Sequence, residues 1–307
     1  MSIYSEIDSN KRKTNFLLFG FFTFTVAIAT AGLYASGSLP LLDSLIIAAI
    51  CSTLYCLISY YFSRSAVLMS QGARKVDRAT APELIAMVES LAIGAGIPMP
   101  EVYVINDAAP NAFATGRDPK HAAVAVTTGL LERLNKDELK GVLAHEVSHI
   151  KNFDIRVMTI VVVLLGLVVL ISDIAVRASL FGGGNRNNNN KGGGAAIFLV
   201  FILISVVLAP LIANLIRFAV SRTREYLADT TGAQLTLQPT HLASALRKIS
   251  QYSGEMKRAN HATAHLFISS PFGAKGQKAK GWFNHLFSTH PPIEERIKKL
   301  QNIHGDV

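Results

Sequence analysis

The sequence predicts an α+β membrane protein that is mostly helical, with a small β-sheet and four transmembrane helices arranged as two hairpins. Three observations carry this expectation. Half of the 307 residues are hydrophobic and only 17% are charged, against about 25% in ordinary soluble domains. Four apolar runs come close to the ~20 residues that a helix needs to cross a bilayer. Between the second and third of these runs lie short apolar segments bounded by turn residues, the pattern of strands.

The first run extends from Phe16 to Gly37 and the second from Leu41 to Phe62, with only Ser38-Leu39-Pro40 between them. So short a connection makes them a hairpin. The first run is too long for a cleavable signal peptide, has no small-residue cleavage site, and is followed at once by another run. Lys11, Arg12 and Lys13 precede the pair, and Arg64, Arg74, Lys75 and Arg78 follow it. Because positive charge is retained on the cytosolic side, the N-terminus and residues 64–156 are expected there. Pro82 to Ile93 has helical apolar spacing with proline in the first turn, and Gly94 and Gly96 end it. Glu101 to Ile105, Asn111 to Gly116 and Ala122 to Val126 read as strands. Asn135 and Glu138 form the Asn-x-x-Glu pattern of a capping box, which starts a helix.

The third run is Val157 to Val176, with Asp173 late in it. The fourth is Ala195 to Ile216, containing Pro210 and Asn214. The Gly- and Asn-rich stretch 182–194 between them reads as a flexible linker. These two runs either cross the bilayer or form a helical hairpin buried in protein. If they cross, residues 217–307 return to the cytosol, with helices around 218–235, 240–252 and 292–301 and a loose Gly/Lys stretch at 272–281. The expected organisation is a transmembrane hairpin at 1–63, a first cytosolic part at 64–156, a second transmembrane hairpin at 157–216, and a second cytosolic part at 217–307. The net charge of +9 comes from scattered basic residues flanking apolar runs. That suits a membrane surface better than nucleic acid. Cys51 and Cys56, the only cysteines, share one apolar run and read as small core residues.

The capped helix carries His145-Glu146-Val147-Ser148-His149. Residues four apart share a helix face, so both imidazoles can reach one ion, with Glu146 beside them. This is the H-E-x-x-H arrangement of zinc peptidases, with two His ligands and a carboxylate base, and it makes the helical domain zincin-like. A catalytic zinc needs a third protein ligand, and Glu225, in Ser221-Arg222-Thr223-Arg224-Glu225-Tyr226-Leu227-Ala228-Asp229, is the best candidate. Asp229, one turn further on, is placed to hold the free N–H of a ligand imidazole. Asn152 and Asp154 either support the site in the same way or mark the polar boundary before the third run. The His helix leads into that run, and Glu225 follows the fourth closely. A hairpin would therefore bring both halves of the site together at the membrane surface.

Three further residues are candidates for contacts with the substrate or transition state. His290, held by Pro291-Pro292, could stabilise an oxyanion or simply open a helix. Arg222 could do the same or make a structural ion pair. Asn111 begins a segment that is either an edge strand pairing with the substrate backbone or an internal strand. His265 reads as a packing or surface residue.

Four pieces, Asn111-Ala112-Phe113-Ala114-Thr115-Gly116, His145 to His149, Ser221 to Asp229, and Ser288-Thr289-His290-Pro291-Pro292, occur in this order. With the four-run layout, they make the chain resemble the HtpX-type membrane metalloproteases, relatives of the type I CAAX prenyl proteases. The resemblance implies one Zn2+ per chain on His145, His149 and Glu225, with Glu146 as base. It also implies a bacterial inner-membrane location and stress-response proteolysis of misfolded or surplus membrane proteins, and the charge pattern and span count place the catalytic domain and both termini in the cytosol. Competing readings have weaker support. A processing protease for one lipidated substrate would be expected to have more spans. A metal-binding scaffold has no need of Glu146. A transporter would carry charge in mid-span, whereas Asp173 lies near the end of its run.

Overall fold

Two long helices open the chain, α1 (Ile3–Ala35) and α2 (Leu41–Gln71), and they pack along each other. The computed structural model describes residues 3–35, 39–162, 222–260, 262–273 and 291–303. The 182–194 linker, the fourth apolar run, all of the third beyond 162, His290 and most of 272–281 lie outside the described residues. Among the described residues, α2 is the one helix long and apolar enough to cross a membrane; α1 contributes a shorter apolar stretch, Leu18–Tyr34. Leu42, Ile46, Ile50, Leu54, Leu57 and Ile58 each leave 49–66% of their surface uncovered by protein. A continuous apolar face of this kind needs a non-aqueous neighbour.

The apolarity of α2 fades at Phe62, where the first hairpin was expected to end, yet the helix continues to Gln71. No breaker precedes Gly72. That residue, at φ 65°, stops the helix by returning its N–H to the Leu68 and Met69 carbonyls. The last two turns bury Val67, Leu68 and Gln71 in the domain beyond. Thus α2 is one rod of 31 residues, about 46 Å long, shared between the apolar hairpin and the domain.

The domain is built on a four-stranded sheet of β1 (Arg74–Lys75), β2 (Glu101–Ile105), β3 (Ala112–Gly116) and β4 (Ala122–Thr127), in the order β1-β2-β4-β3. β2 and β4 are parallel, with Val102 opposite Val124; β3 and β4 are antiparallel, with Ala114 opposite Val124. The two-residue β1, too short to show a period, was not foreseen. Alternation assigns the two faces. Val102, Ala112, Ala114, Val124 and Val126 face the main core, which is filled from α3 (Pro82–Ala95), α5 (Lys136–Lys151) and α7 (Pro239–Ser250). Ile105, Phe113, Ala123 and Ala125 face a second cluster with Val67 and Leu68 of α2, Met158 and Phe267. Each fully buried Leu or Val contributes roughly 1.5–3 kcal/mol relative to exposure. A short helix, α4 (Thr128–Arg133), joins β4 to α5, and α6 (Arg222–Thr236) and α8 (Ile293–Asn302) complete the described fold.

α5 begins as its sequence requires. The Asn135 side chain accepts the Glu138 N–H at 2.8 Å, and the Glu138 carboxylate accepts the Asn135 N–H at 2.9 Å. Glu138 also accepts from Ser244 Oγ and Lys248 Nζ of α7, both at 2.7 Å, which ties the start of α5 to its neighbour. α6 crosses α5 closely because Gly232 faces His145. A Cβ on Gly232 would lie 3.0 Å from the His145 backbone nitrogen. This close crossing carries the acidic residues of α6 toward the histidines.

Candidate metal centre

α5 places His145 and His149 on one buried face, with 1% and 4% of their surfaces exposed. Their Nε2 atoms stand 3.1 Å apart. Glu225 enters from α6, completely buried, with its oxygens 3.5 Å from His149 Nε2 and 3.8 Å from His145 Nε2. The three side chains offer ligand atoms all within 4.8 Å of one another.

Each imidazole is held from behind. Asp229 Oδ1 lies 3.0 Å from His145 Nδ1, and Asp154 Oδ2 lies 2.9 Å from His149 Nδ1. With both Nδ1–H groups donating to carboxylates, both Nε2 atoms turn lone pairs toward the same point, beside the Glu225 carboxylate. Lone pairs on nitrogens 3.1 Å apart repel unless a metal ion or a shared proton lies between them. Tetrahedral donors about 2.0–2.2 Å from zinc would stand about 3.3–3.6 Å apart, and the observed 3.1, 3.5 and 3.8 Å fall around that spacing. Charge points the same way. Among the described residues, four buried carboxylates, Glu146, Asp154, Glu225 and Asp229, face two buried guanidiniums, Arg224 and Arg296. Neutral imidazoles thus leave one excess negative charge with Glu146 protonated and two with it ionised, a charge that a divalent cation balances.

The Asp154 contact depends on a strained turn. α5 ends at Lys151 with Asn152 as its cap; Phe153 then takes φ 60°, and helical backbone resumes at 154. A left-handed conformation is unfavourable for a bulky residue, and here it turns the next residue, Asp154, back onto His149.

Asp229 is anchored by Arg296 of α8, which donates from Nε at 2.9 Å and from a terminal nitrogen at 2.7 Å. The same guanidinium lies 3.8 Å from Glu225 and 3.4 Å from the His145 ring. Arg296 matches no motif and sits in a helix rich in Lys and Glu. Its signal was positional, since Ile293, Arg296, Ile297 and Leu300 share one helical stripe and Arg296 is the charged member of an otherwise apolar face. Arg224, completing its counterpart on the other side, approaches Asp154 at 3.8 Å and is buried.

The surroundings set the protonation of each group. Burial, and then the Arg296 charge, push His145 down to about 4 against the pull of Asp229. Burial works against the His149 cation too, but the Asp154 hydrogen bond and the Glu225 charge outweigh it and hold that ring at about 9. In this way the cluster's demand for positive charge is met by a proton. Burial would raise Asp229, but Arg296 and His145 hold it down to about 2. Burial raises Glu146 to about 7, with Glu225 adding to the rise, even though His149, Arg296 and the Ala114 N–H favour its ionised form. A carboxyl poised near neutrality suits proton transfer.

The remaining candidates lie elsewhere. Asn111 is buried, and its amide bridges to Ser269, donating to the carbonyl at 2.9 Å and accepting the N–H at 3.2 Å. Arg222 is exposed at the start of α6. His265 is buried, with Nε2 3.1 Å from the Met158 carbonyl. β3 is the edge strand next to α5. Along its outer side, the Ala112 carbonyl accepts the Ile268 N–H, the Ala114 N–H meets Glu146, and the Gly116 N–H donates to Thr159 Oγ1.

Comparison with known proteins agrees with this geometry. Residues 78–304 match the family described as Peptidase family M48. The chain is 47% identical over 302 residues to the protease HtpX homolog of Tropheryma whipplei (strain Twist), covering 98% of each sequence. It is 43% identical over 303 residues to the protease HtpX homolog of Streptococcus gordonii, covering 98% of this chain and all of the relative. Its fold is like that in the crystal structure of S. mikatae Ste24p, with a TM-score of 0.50 and 18% identity over 96% of this chain and 67% of the other.

Proposed function

Since the chain belongs to peptidase family M48 and is a metallopeptidase, we propose that it is a zinc endopeptidase of the bacterial inner membrane, cutting misfolded or surplus membrane proteins at the cytosolic face. The observation that carries this reading is the convergence of His145, His149 and Glu225, with both imidazoles held at Nδ1 and Glu146 next to them.

In this reading those three residues hold one zinc per chain. Zinc bound there supplies a Lewis acid for the scissile carbonyl and lowers the pKa of the attacking water. Glu146 accepts the water proton and passes it to the leaving amine. Asp229 and Asp154 fix the imidazole tautomers, and Arg296 keeps Asp229 ionised and in place. An extended substrate passes the outer edge of β3 only near Ala114, beside Glu146; His290, Arg222 and Asn111 are secondary candidates for contacts around it.

The purified protein should cleave casein when supplied with zinc, stop on chelation, and recover on zinc addition with one zinc per chain. Cleavage unaffected by thorough chelation would overturn the metal mechanism.

The proposed topology has four spans. α1 and α2 form the first hairpin (1–63), and runs three and four form the second (157–216). The two catalytic parts, 64–156 and 217–307, and both termini are cytosolic. In a Cys51→Ser, Cys56→Ser background, Asn188→Cys should react with a membrane-impermeant thiol reagent in intact cells and Asn260→Cys should not. Labelling at position 260 would reverse the orientation.

A further inference from the structure

A groove of about 460 Å³ lies between the hairpin and the segment just beyond the catalytic helix. Leu18, Phe19 and Phe22 of α1 and Leu57 of α2 give it apolar walls, and Arg156 is the one charged residue of its lining among the described residues. Arg156 follows Asp154 by two residues, at the start of the helical stretch that leads on from α5. Its Nε is buried without a hydrogen-bond partner, and no carboxylate pairs with the side chain among the described residues. Its guanidinium stands 5.8 Å from the Tyr60 ring, and the neighbouring Tyr61 ring carries Arg117 at 5.0 Å. Arg156 is half-buried, and an anion in the groove would supply the counter-charge that the described residues do not.

The level of the groove identifies that anion. Tyr60 and Tyr61 close the apolar run of α2, and Arg64 follows them. Tyrosines followed by arginine mark the cytosolic headgroup level of a span, and basic pockets between helices at that level take anionic headgroups. We propose that the groove holds one anionic phospholipid, with an acyl chain against Phe22 and Leu57 and its phosphate on Arg156. Free phosphate would leave the apolar walls uncovered, and a zwitterionic lipid would supply no net charge for Arg156. The inference rests on the reading of α1 and α2 as a membrane hairpin. A lipid seated there would set the height of the H-E-x-x-H helix relative to the inner leaflet.

Native mass spectrometry of the full-length protein in neutral detergent tests this, with phosphatidylglycerol, phosphatidylcholine or inorganic phosphate added separately. One phosphatidylglycerol should be retained per chain, with neither of the others retained at the same concentration. Arg156→Gln should weaken retention about fivefold, and Arg156→Lys should restore part of it. Leu57→Trp, which fills the groove from the exposed side of α2 and leaves the domain core untouched, should abolish it. Unchanged retention in either Arg156→Gln or Leu57→Trp, or equal retention of phosphatidylcholine, overturns the site. Flotation with neutral vesicles separates the two readings. Protein that fails to float overturns both the hairpin and the lipid site; protein that floats but retains no phosphatidylglycerol overturns the site alone.

Discussion

The two halves of the metal centre are built in different ways. The α5 half is local: His145, Glu146, His149 and Asp154 lie within ten residues, positioned by one capped helix and one left-handed turn. The other half is assembled at long range, with Glu225 and Asp229 brought in by the close crossing at Gly232, and Arg296 supplied by α8. The local half supplies two imidazoles and the carboxylate between them, of which only His149 is held by a residue of its own half, Asp154. The distant half adds the proposed third ligand, Glu225, and most of the charge balance. Damage to the distant half should therefore appear first as lost metal, and damage to the base as lost turnover.

The largest effect is expected at Glu225. Glu225→Ala removes a ligand, so both zinc content and cleavage should be lost, measured by elemental analysis and casein hydrolysis on one preparation. A variant with full zinc at wild-type affinity would mean that the distant half supplies no ligand.

Glu146→Gln is the matching test of the local half. It should keep the metal while turnover drops by about 10²–10⁴-fold, the scale of general-base catalysis. Zinc loss alongside the activity loss would erase the distinction between the halves.

The supporting carboxylates sharpen the contrast. Asp154→Asn and Asp229→Asn should each weaken zinc binding by about 10–100-fold. Asp229→Asn should also lower the melting temperature more, because it leaves the buried Arg296 without its carboxylate. Equal melting temperatures would show that Arg296 is held as well by Glu225 and the Ile268 carbonyl as by Asp229.

The smallest effect is at the start of α5. Burial would raise the Glu138 carboxyl, but Lys248, the Asn135 N–H and Ser244 outweigh it and hold it below the usual range. A depressed folded value means stabilisation that is present above the unfolded carboxylate pKa of about 4.3 and is lost as pH falls through the folded value. Glu138→Gln should thus be about 1 kcal/mol less stable at pH 7, with the gap closing in acid. Thermal unfolding at both ends of that range measures it, and a gap that widens in acid would contradict the sign.

The same division governed what could be read in advance. The H-E-x-x-H helix, its capping box and the strands at 101–105 and 122–127 all rest on short-range rules, and they fall within a residue or two of where the sequence puts them. Glu225 and Asp229 were legible because they lie one turn apart and the histidines called for a partner. Asp154 stood open between two readings, because only the φ of Phe153 decides where its carboxylate points. Arg222 and Arg224 flank one residue in sequence, but helical rotation leaves the first exposed and buries the second. Arg296 reaches the centre through α8, and no spacing rule links residues 296 and 229.

One feature of the hairpin bears on how the enzyme experiences its surroundings. α2 is an unbroken rod whose far end is gripped by the domain at Val67, Leu68 and Gln71, and Gly72 leads directly into β1. A tilt of 10° in a rod about 46 Å long displaces its far end by about 8 Å. Tilt is the way a span accommodates a thinner or thicker bilayer. If α2 spans the bilayer as proposed, the metal centre moves like the pointer of a thickness gauge, and lipid composition alone changes which peptide bonds come within its reach.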